Sequence, residues 1–287
     1  MNNLIISSSG KIGSYYSQRS KLSNNIFTSR KKINVKGFLK INFNKKTFLN
    51  TLEKNNISKA VIFTAISDPF ACVTNKKISH KINIVLIKKI IDLLIKKNIY
   101  FIFFSSEYIF LGNKKNLYRE TSKANTKMLY GKQKIIIEKY LKKKNYNNYS
   151  ILRLSKTYGD QIDDNTLFCK VLKDYLNGKT KFEIAHDQYF RPLYINDLIR
   201  VIDHFLKKKI RGDFNVCGDQ YLSRYNLIKK MFETLNITNV TINKCSLEKF
   251  NKKVIFPKKL NLSNKKIKNK IGIKFTNFEK ILKNIDV

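Results

Sequence analysis

A chain of 287 residues that is 43% hydrophobic can bury one large core, or a core with a second lobe grown onto it, which excludes global disorder. Its formal charge of +38 comes from 58 Lys+Arg, only 8 of them Arg, spread along the chain as pairs and triplets. A nucleic-acid-reading surface favours the Arg fork, and the accompanying excess of Asn, Ile, Phe and Tyr shares A/T-rich codons with Lys, so no specific nucleic-acid partner is expected.

In chain order, Met1-Asn2-Asn3 leads straight into the apolar run Leu4-Ile5-Ile6, without the basic lead of a secretory signal, so a cytoplasmic location is expected. That run reads as a strand, followed by the loop Ser7–Gly13 and a helix through about Leu22. Asn25–Ser29 and Ala60–Thr64 read as further strands. Ile78–Lys97 has helical spacing at Ile82, Val85, Leu86, Ile90 and Leu93. Lysines and Asp92 interrupt it, so it cannot enter a membrane. Tyr100–Phe104 is continuously apolar, as a strand covered on both faces must be. Tyr130–Lys142 reads as a helix and Ser150–Leu154 as a strand, and this alternation predicts an α/β fold with a doubly wound parallel sheet. Beyond Leu154, 3 Pro and 10 Gly in the whole chain give little punctuation. Four scattered cysteines (Cys72, Cys169, Cys217, Cys245) and three histidines fall in no ligand spacing, so no metal is expected.

Three sites stand out. The loop after the first strand, with Ser9, Gly10, Lys11, Ile12 and Gly13, has the second and third glycines of a phosphate-cradling G-x-x-G-x-x-G but Ser7 at the first. Arg30, just past the second strand, is basic where an acidic residue would hold unphosphorylated ribose, and so favours NADP(H). Tyr130 and Lys134 form Y-x-x-x-K, an i, i+4 pair on one helical face, in which an ammonium can bring a phenol toward working pH.

The segments Ser105-Ser106-Glu107-Tyr108-Ile109-Phe110-Leu111-Gly112, Tyr118-Arg119-Glu120, Tyr130–Glu138, Leu152–Gly159 and Asp187–Leu198 follow one another as motifs do in a known group. Through them the chain resembles the extended short-chain dehydrogenase/reductases, and among those the dTDP-4-dehydrorhamnose reductase group of sugar-nucleotide reductases. The resemblance implies a Rossmann-like dinucleotide-binding core over 1–154, completed by part of 190–217, and a smaller, mainly substrate-binding C-terminal lobe over 155–287. It implies Ser106, Tyr130 and Lys134 as the catalytic set, with Thr64, Ala65 and Ile66 facing the cofactor beside Tyr130 and Lys134. Ser106, Glu107, Tyr108, Gln188 and Arg191 are implied as substrate contacts, and Asn83 falls at the group's helical Asn. The implied reaction is NADPH-dependent reduction (NADH being an allowed donor) of a nucleotide-linked 4-keto-6-deoxy sugar for deoxysugar and surface-polysaccharide synthesis. A homodimer is compatible with the resemblance. A cofactor-binding regulatory subunit and a sugar-nucleotide epimerase or dehydratase are the alternatives on the same fold, and a basic nucleic-acid-binding protein is the last alternative, from another class. The chain departs from the group at Ser7, at Ser106 in place of Thr, and in lacking a proline before Tyr130.

Overall fold

The apolar runs of the first half become strands β1 (Asn2–Ile6), β2 (Asn25–Ser29), β3 (Phe38–Lys40), β4 (Ile57–Ile62), β5 (Tyr100–Ser106) and β6 (Tyr149–Leu154) in a computed structural model. The structure describes residues 1–29, 38–113, 117–164, 166–250 and 254–283. With a last strand, Gly212–Val216, they form one seven-stranded sheet. Its order runs from Gly212–Val216 through β6, β5, β4, β1 and β2 to β3. The pairs β1–β2, β1–β4, β2–β3 and β4–β5 are all parallel. Strand order therefore reverses at β1 and β4, and ligands of such sheets bind beyond the carboxyl ends of the strands at that reversal.

The chain divides into two compact units. The first, Met1–Ser106 with Leu129–Arg153 and Ile199–Phe214, is built on the sheet. Strand side chains alternate between faces. Leu4, Ile6, Ala60, Ile62, Phe101 and Phe103 accordingly join one core cluster with Phe48, Ile87, Ile90, Leu94, Ile137 and Leu141 of the covering helices. The intervening Ile5, Val61 and Ile102 are equally buried, so the sheet is covered on both sides. Helix α1 (Lys11–Arg19) stops before the expected Leu22, because Ser20 turns extended and its hydroxyl, with the Lys21 amide, donates to Asp203. Strand β3 and helix α2 (Lys45–Lys54) were not legible, the first being three residues long with two of them exposed.

The expected helix over Ile78–Lys97 is instead composite. It runs as α3 (Pro69–Thr74), α4 (Lys76–His80), a π-helical turn over Lys81–Leu86, and α5 (Ile87–Lys96). Wide turns of this kind are frequent at functional sites, and this one contains Asn83. Helix α6 (Leu129–Lys142) follows β5 in the sheet's order of elements. Two motif residues have a structural use here. Glu138 of α6 and Arg153 of β6 form a buried bidentate pair, with Nε and Nη2 at 3.0 and 2.7 Å from the carboxylate oxygens. Removing either partner would strand a buried charge, which costs about 3–5 kcal/mol.

The second unit comprises Glu107–Met128, Leu154–Leu198 and Asn215–Val287. Its strands are short: Tyr189–Phe190 pairs antiparallel with Leu222–Ser223, and Lys181–Ala185 pairs parallel with Thr241–Cys245. Tyr158, Phe168 and Phe278 pack edge-to-face in its core.

Candidate active site

The turn after β1 places different backbone demands on Ser7, Gly10 and Gly13. Ser7 has φ of 59°, the left-handed region that suits glycine, at a cost of about 1 kcal/mol for a residue with a Cβ. Its polar groups offset that strain: the amide donates to the Thr28 hydroxyl at 3.2 Å and the side chain lies 2.7 Å from the Thr64 hydroxyl. Gly13 is required by packing, since a Cβ there would lie 2.5 Å from the Ser8 Cα. Gly10 has neither demand. Its backbone is extended and a Cβ would meet nothing within 4 Å. Open space at a helix N-cap, with no acidic residue in the first turn of α1, fits an approaching phosphate. Ser9 and Lys11 are exposed at this turn and Ile12 is half-buried. Arg30 lies outside the described residues.

Thr64, Ala65 and Ile66 leave the end of the neighbouring strand β4. Asn83 grips Ile66 from both sides, its Oδ1 accepting from the Ile66 amide at 2.8 Å and its Nδ2 donating to the Ile66 carbonyl at 2.9 Å. The same Nδ2 donates to Gln133 Oε1 at 2.7 Å, and Gln133 donates to the Ser79 hydroxyl at 2.9 Å. Gln133 stands between Tyr130 and Lys134 on α6, so one buried amide network ties the tyrosine-bearing helix to the 64–66 segment. Sequence reading missed Gln133. A polar residue on the inward face of a helix, next to Y-x-x-x-K, was the available signal.

Tyr130 and Lys134 are both buried, one turn apart on α6. The Lys134 ammonium donates to the Phe104 carbonyl of β5 at 2.7 Å and lies 5.4 Å from the Tyr130 ring centroid. Burial pushes Lys134 down to about 8, against the pull of Cys72 and Glu138. Two residues beyond Phe104, Ser106 closes β5 and is buried at its carboxyl end. Strand β5 thus links the expected trio, holding the lysine by one carbonyl and ending in the serine.

In the second unit, Glu107 is buried and its carboxylate accepts from the Ser155 hydroxyl at 2.6 Å and the Lys156 amide at 3.1 Å. Burial pushes it up to about 7, opposed by those hydrogen bonds and the Lys156 charge. Burial and then Glu107 raise the Tyr108 phenol, while Arg224 opposes them. Gln188 is engaged at both ends of its amide, donating to the Pro257 carbonyl at 3.0 Å and accepting from Arg224 Nε. Arg191 donates from Nε to Asn261 at 2.8 Å and from Nη1 to the Asp219 carbonyl. Arg224 was also missed. Its signal was composition, because an Arg in a chain with 8 Arg among 58 basic residues marks a place where Lys does not serve. Among the described residues there is no group of three or more His, Cys, Asp or Glu placed to hold a metal, and no helix long and apolar enough to cross a membrane.

A doubly wound parallel sheet with a glycine turn after β1 and a buried Tyr–Lys pair on the helix following β5 defines the extended short-chain dehydrogenase/reductase class. The chain belongs to the family of the RmlD substrate binding domain, whose sequence model matches residues 1–285. It is 22% identical over 250 residues, 83% of each chain, to a dTDP-4-dehydrorhamnose reductase of Aggregatibacter actinomycetemcomitans. Its fold is similar to that of a Bacillus anthracis dTDP-4-dehydrorhamnose reductase in complex with NADP, with a TM-score of 0.85, 18% identity and 99% of each chain covered. A Thermotoga maritima UDP-glucose 4-epimerase with UDP-glucose shares it too, at a TM-score of 0.84 and 19% identity over 99% of this chain and 97% of that one.

Proposed function

We propose that the protein is a cytoplasmic NAD(P)H-dependent reductase of a nucleotide-linked 4-keto-6-deoxy sugar, serving deoxysugar and surface-polysaccharide synthesis. The observation that carries this reading is the buried Tyr130–Lys134 pair, with the lysine fixed to β5 and Ser106 ending that strand. The family membership supports it.

The residues at the β1 turn fit a dinucleotide: open space at Gly10, a helix start without acidic residues, and the Thr64–Ile66 segment fixed by Asn83. When bound, NADPH supplies the hydride that reduces the ketone carbon. The chain does the rest. Tyr130 donates its phenolic proton to the ketone oxygen as it gains charge, so that C=O becomes CH–OH and NADP⁺ is left. Ser106 hydrogen-bonds that oxygen and fixes its place. Lys134, held at the Phe104 carbonyl, stabilises the phenolate that remains and holds the cofactor's ribose. Glu107 and Tyr108, directly after Ser106, are the substrate contacts on that strand end. Arg30, the residue after Ser29 in the sequence, is basic where an acidic residue would hold unphosphorylated ribose, and so favours the 2′-phosphate of NADPH.

The test is a panel of 4-keto-6-deoxy sugar nucleotides with NADPH and with NADH, followed by cofactor absorbance and product stereochemistry. Reduction of at least one, faster with NADPH, is expected. Protein that oxidises neither cofactor with any of the panel, while interconverting UDP-hexoses on tightly bound NAD⁺, would place it with the epimerases instead. Cofactor binding without any turnover would assign it a regulatory role.

A further inference from the structure

Arg224 opens the helix Arg224–Thr234, and its guanidinium is aimed rather than paired. Its backbone amide donates to the Gln188 carbonyl at 3.0 Å and its Nε to Gln188 Oε1. Gln188 is itself anchored at the Pro257 carbonyl. This two-point clamp fixes the plane of the guanidinium and leaves its two terminal nitrogens without a hydrogen-bond or ion-pair partner among the described residues. The carboxylate that acts on it from nearby, Asp187, is engaged elsewhere: it holds the Leu247 amide at 2.8 Å, the Ser246 hydroxyl at 3.1 Å and the Lys258 ammonium at 2.9 Å. The arginine is half-buried. Burial works against its charge, with Tyr108 and Asp187 opposing.

A partly desolvated cation without a counter-ion is unfavourable unless something anionic completes the site. A planar fork with two open nitrogens matches phosphate oxygens two at a time. Composition agrees, since at this position a chain with 58 Lys+Arg has one of its 8 Arg. Tyr108, two positions from Ser106 in the chain, also feels the Arg224 charge.

We propose that the Arg224 guanidinium, aimed by Gln188, holds the diphosphate of the nucleotide-linked substrate. Gln188 is then a positioning residue that reaches the substrate only through Arg224. The assignment rests on the reading of the substrate as a sugar nucleotide, and its test does not need turnover.

Calorimetric titration of the full-length protein with dTDP, UDP, thymidine and NADPH separates the possibilities. Arg224→Gln should weaken binding of the nucleoside diphosphates by about 100-fold, the effect of removing a charged partner from a phosphate, and leave NADPH binding unchanged. Arg224→Lys should recover part of the loss, and Gln188→Leu, with Arg224 intact but unaimed, should lose about 10-fold. Those two milder variants carry the test if Arg224→Gln melts early. Unchanged dTDP binding in the variants overturns the assignment, as does wild-type protein that binds dTDP no better than thymidine. A loss confined to NADPH overturns it too, because the fork would then serve the cofactor. Arg224-dependent dTDP binding in a protein that reduces no sugar nucleotide would leave the assignment standing and remove the reductase reading.

Discussion

The two units present their polar residues in opposite ways. In the first, Tyr130, Lys134 and Ser106 sit on a long helix and a fully buried strand, whose periodic burial fixes their backbones. In the second, Glu107 opens a 3-10 turn, Gln188 and Arg191 flank the two-residue strand Tyr189–Phe190, and Arg224 starts a helix. They are placed by each other and by loop carbonyls, through Ser155, Pro257, Asn261 and Asp219. Where periodic burial fixes an element, one substitution of a functional side chain should alter chemistry and leave the fold. Where polar residues hold one another, function and local stability should change together.

The largest expected departure is at Tyr130. Tyr130→Phe should lower kcat by about 10²–10⁴-fold, the range for losing a positioned general acid, with an unchanged melting temperature. Next come the two glycines, which look alike in sequence and differ in the structure. Gly13→Ala would press a Cβ against the backbone of Ser8 and should cost roughly 3 kcal/mol, read in urea unfolding. Gly10→Ala has open space, so the same unfolding curve should hardly move while the Kd for NADPH rises by about 10-fold or more. Equal loss of stability in both would mean that packing, and not a ligand, accounts for Gly10.

The pH dependence separates the units. Lys134 loses its charge above about 8, so kcat/KM should fall as pH rises through that value. Lys134→Arg, charged throughout, should abolish the inflection at whatever activity it retains. Glu107 is raised from an ordinary 4.5 to about 7. A raised carboxyl favours the folded protein fully below 4.5 and loses that contribution as pH climbs to about 7, by roughly 3 kcal/mol at most. Glu107→Gln should flatten the melting temperature across that window. The smallest effect belongs to Ser7: Ser7→Ala keeps the left-handed strain and loses the Thr64 contact, so it should melt below Ser7→Gly by about 1 kcal/mol of stability.

The same contrast explains what the sequence disclosed. Continuous apolar runs such as Tyr100–Phe104 carried the parallel sheet, because burial on both faces writes itself into local composition. Tyr130 and Lys134 stood out as a candidate pair only through their place after Ser106 and the ordered motifs around them. The π turn at Asn83 was hidden inside an uninterrupted helical period, and the bond that Asn83 accepts from Ile66, 17 residues away, leaves no mark on local spacing. Gln188 was legible as a polar residue of interest, but its partners Arg224 and Pro257 lie 36 and 69 residues further on. No periodicity reports bonds of that range. Ser7 was legible as a departure from glycine, whereas the Thr28 and Thr64 hydroxyls that make it tolerable came only with the fold.

The most direct measurement follows the transferred atom. NADPH carrying deuterium at the transferable position should label C4 of a 4-keto-6-deoxy sugar nucleotide in wild-type protein, with the label's appearance slowed by at least about 100-fold in Tyr130→Phe. Labelling at an unchanged rate in that variant, or NADPH consumption with no deuterium at C4, would contradict a ketone reductase centred on Tyr130.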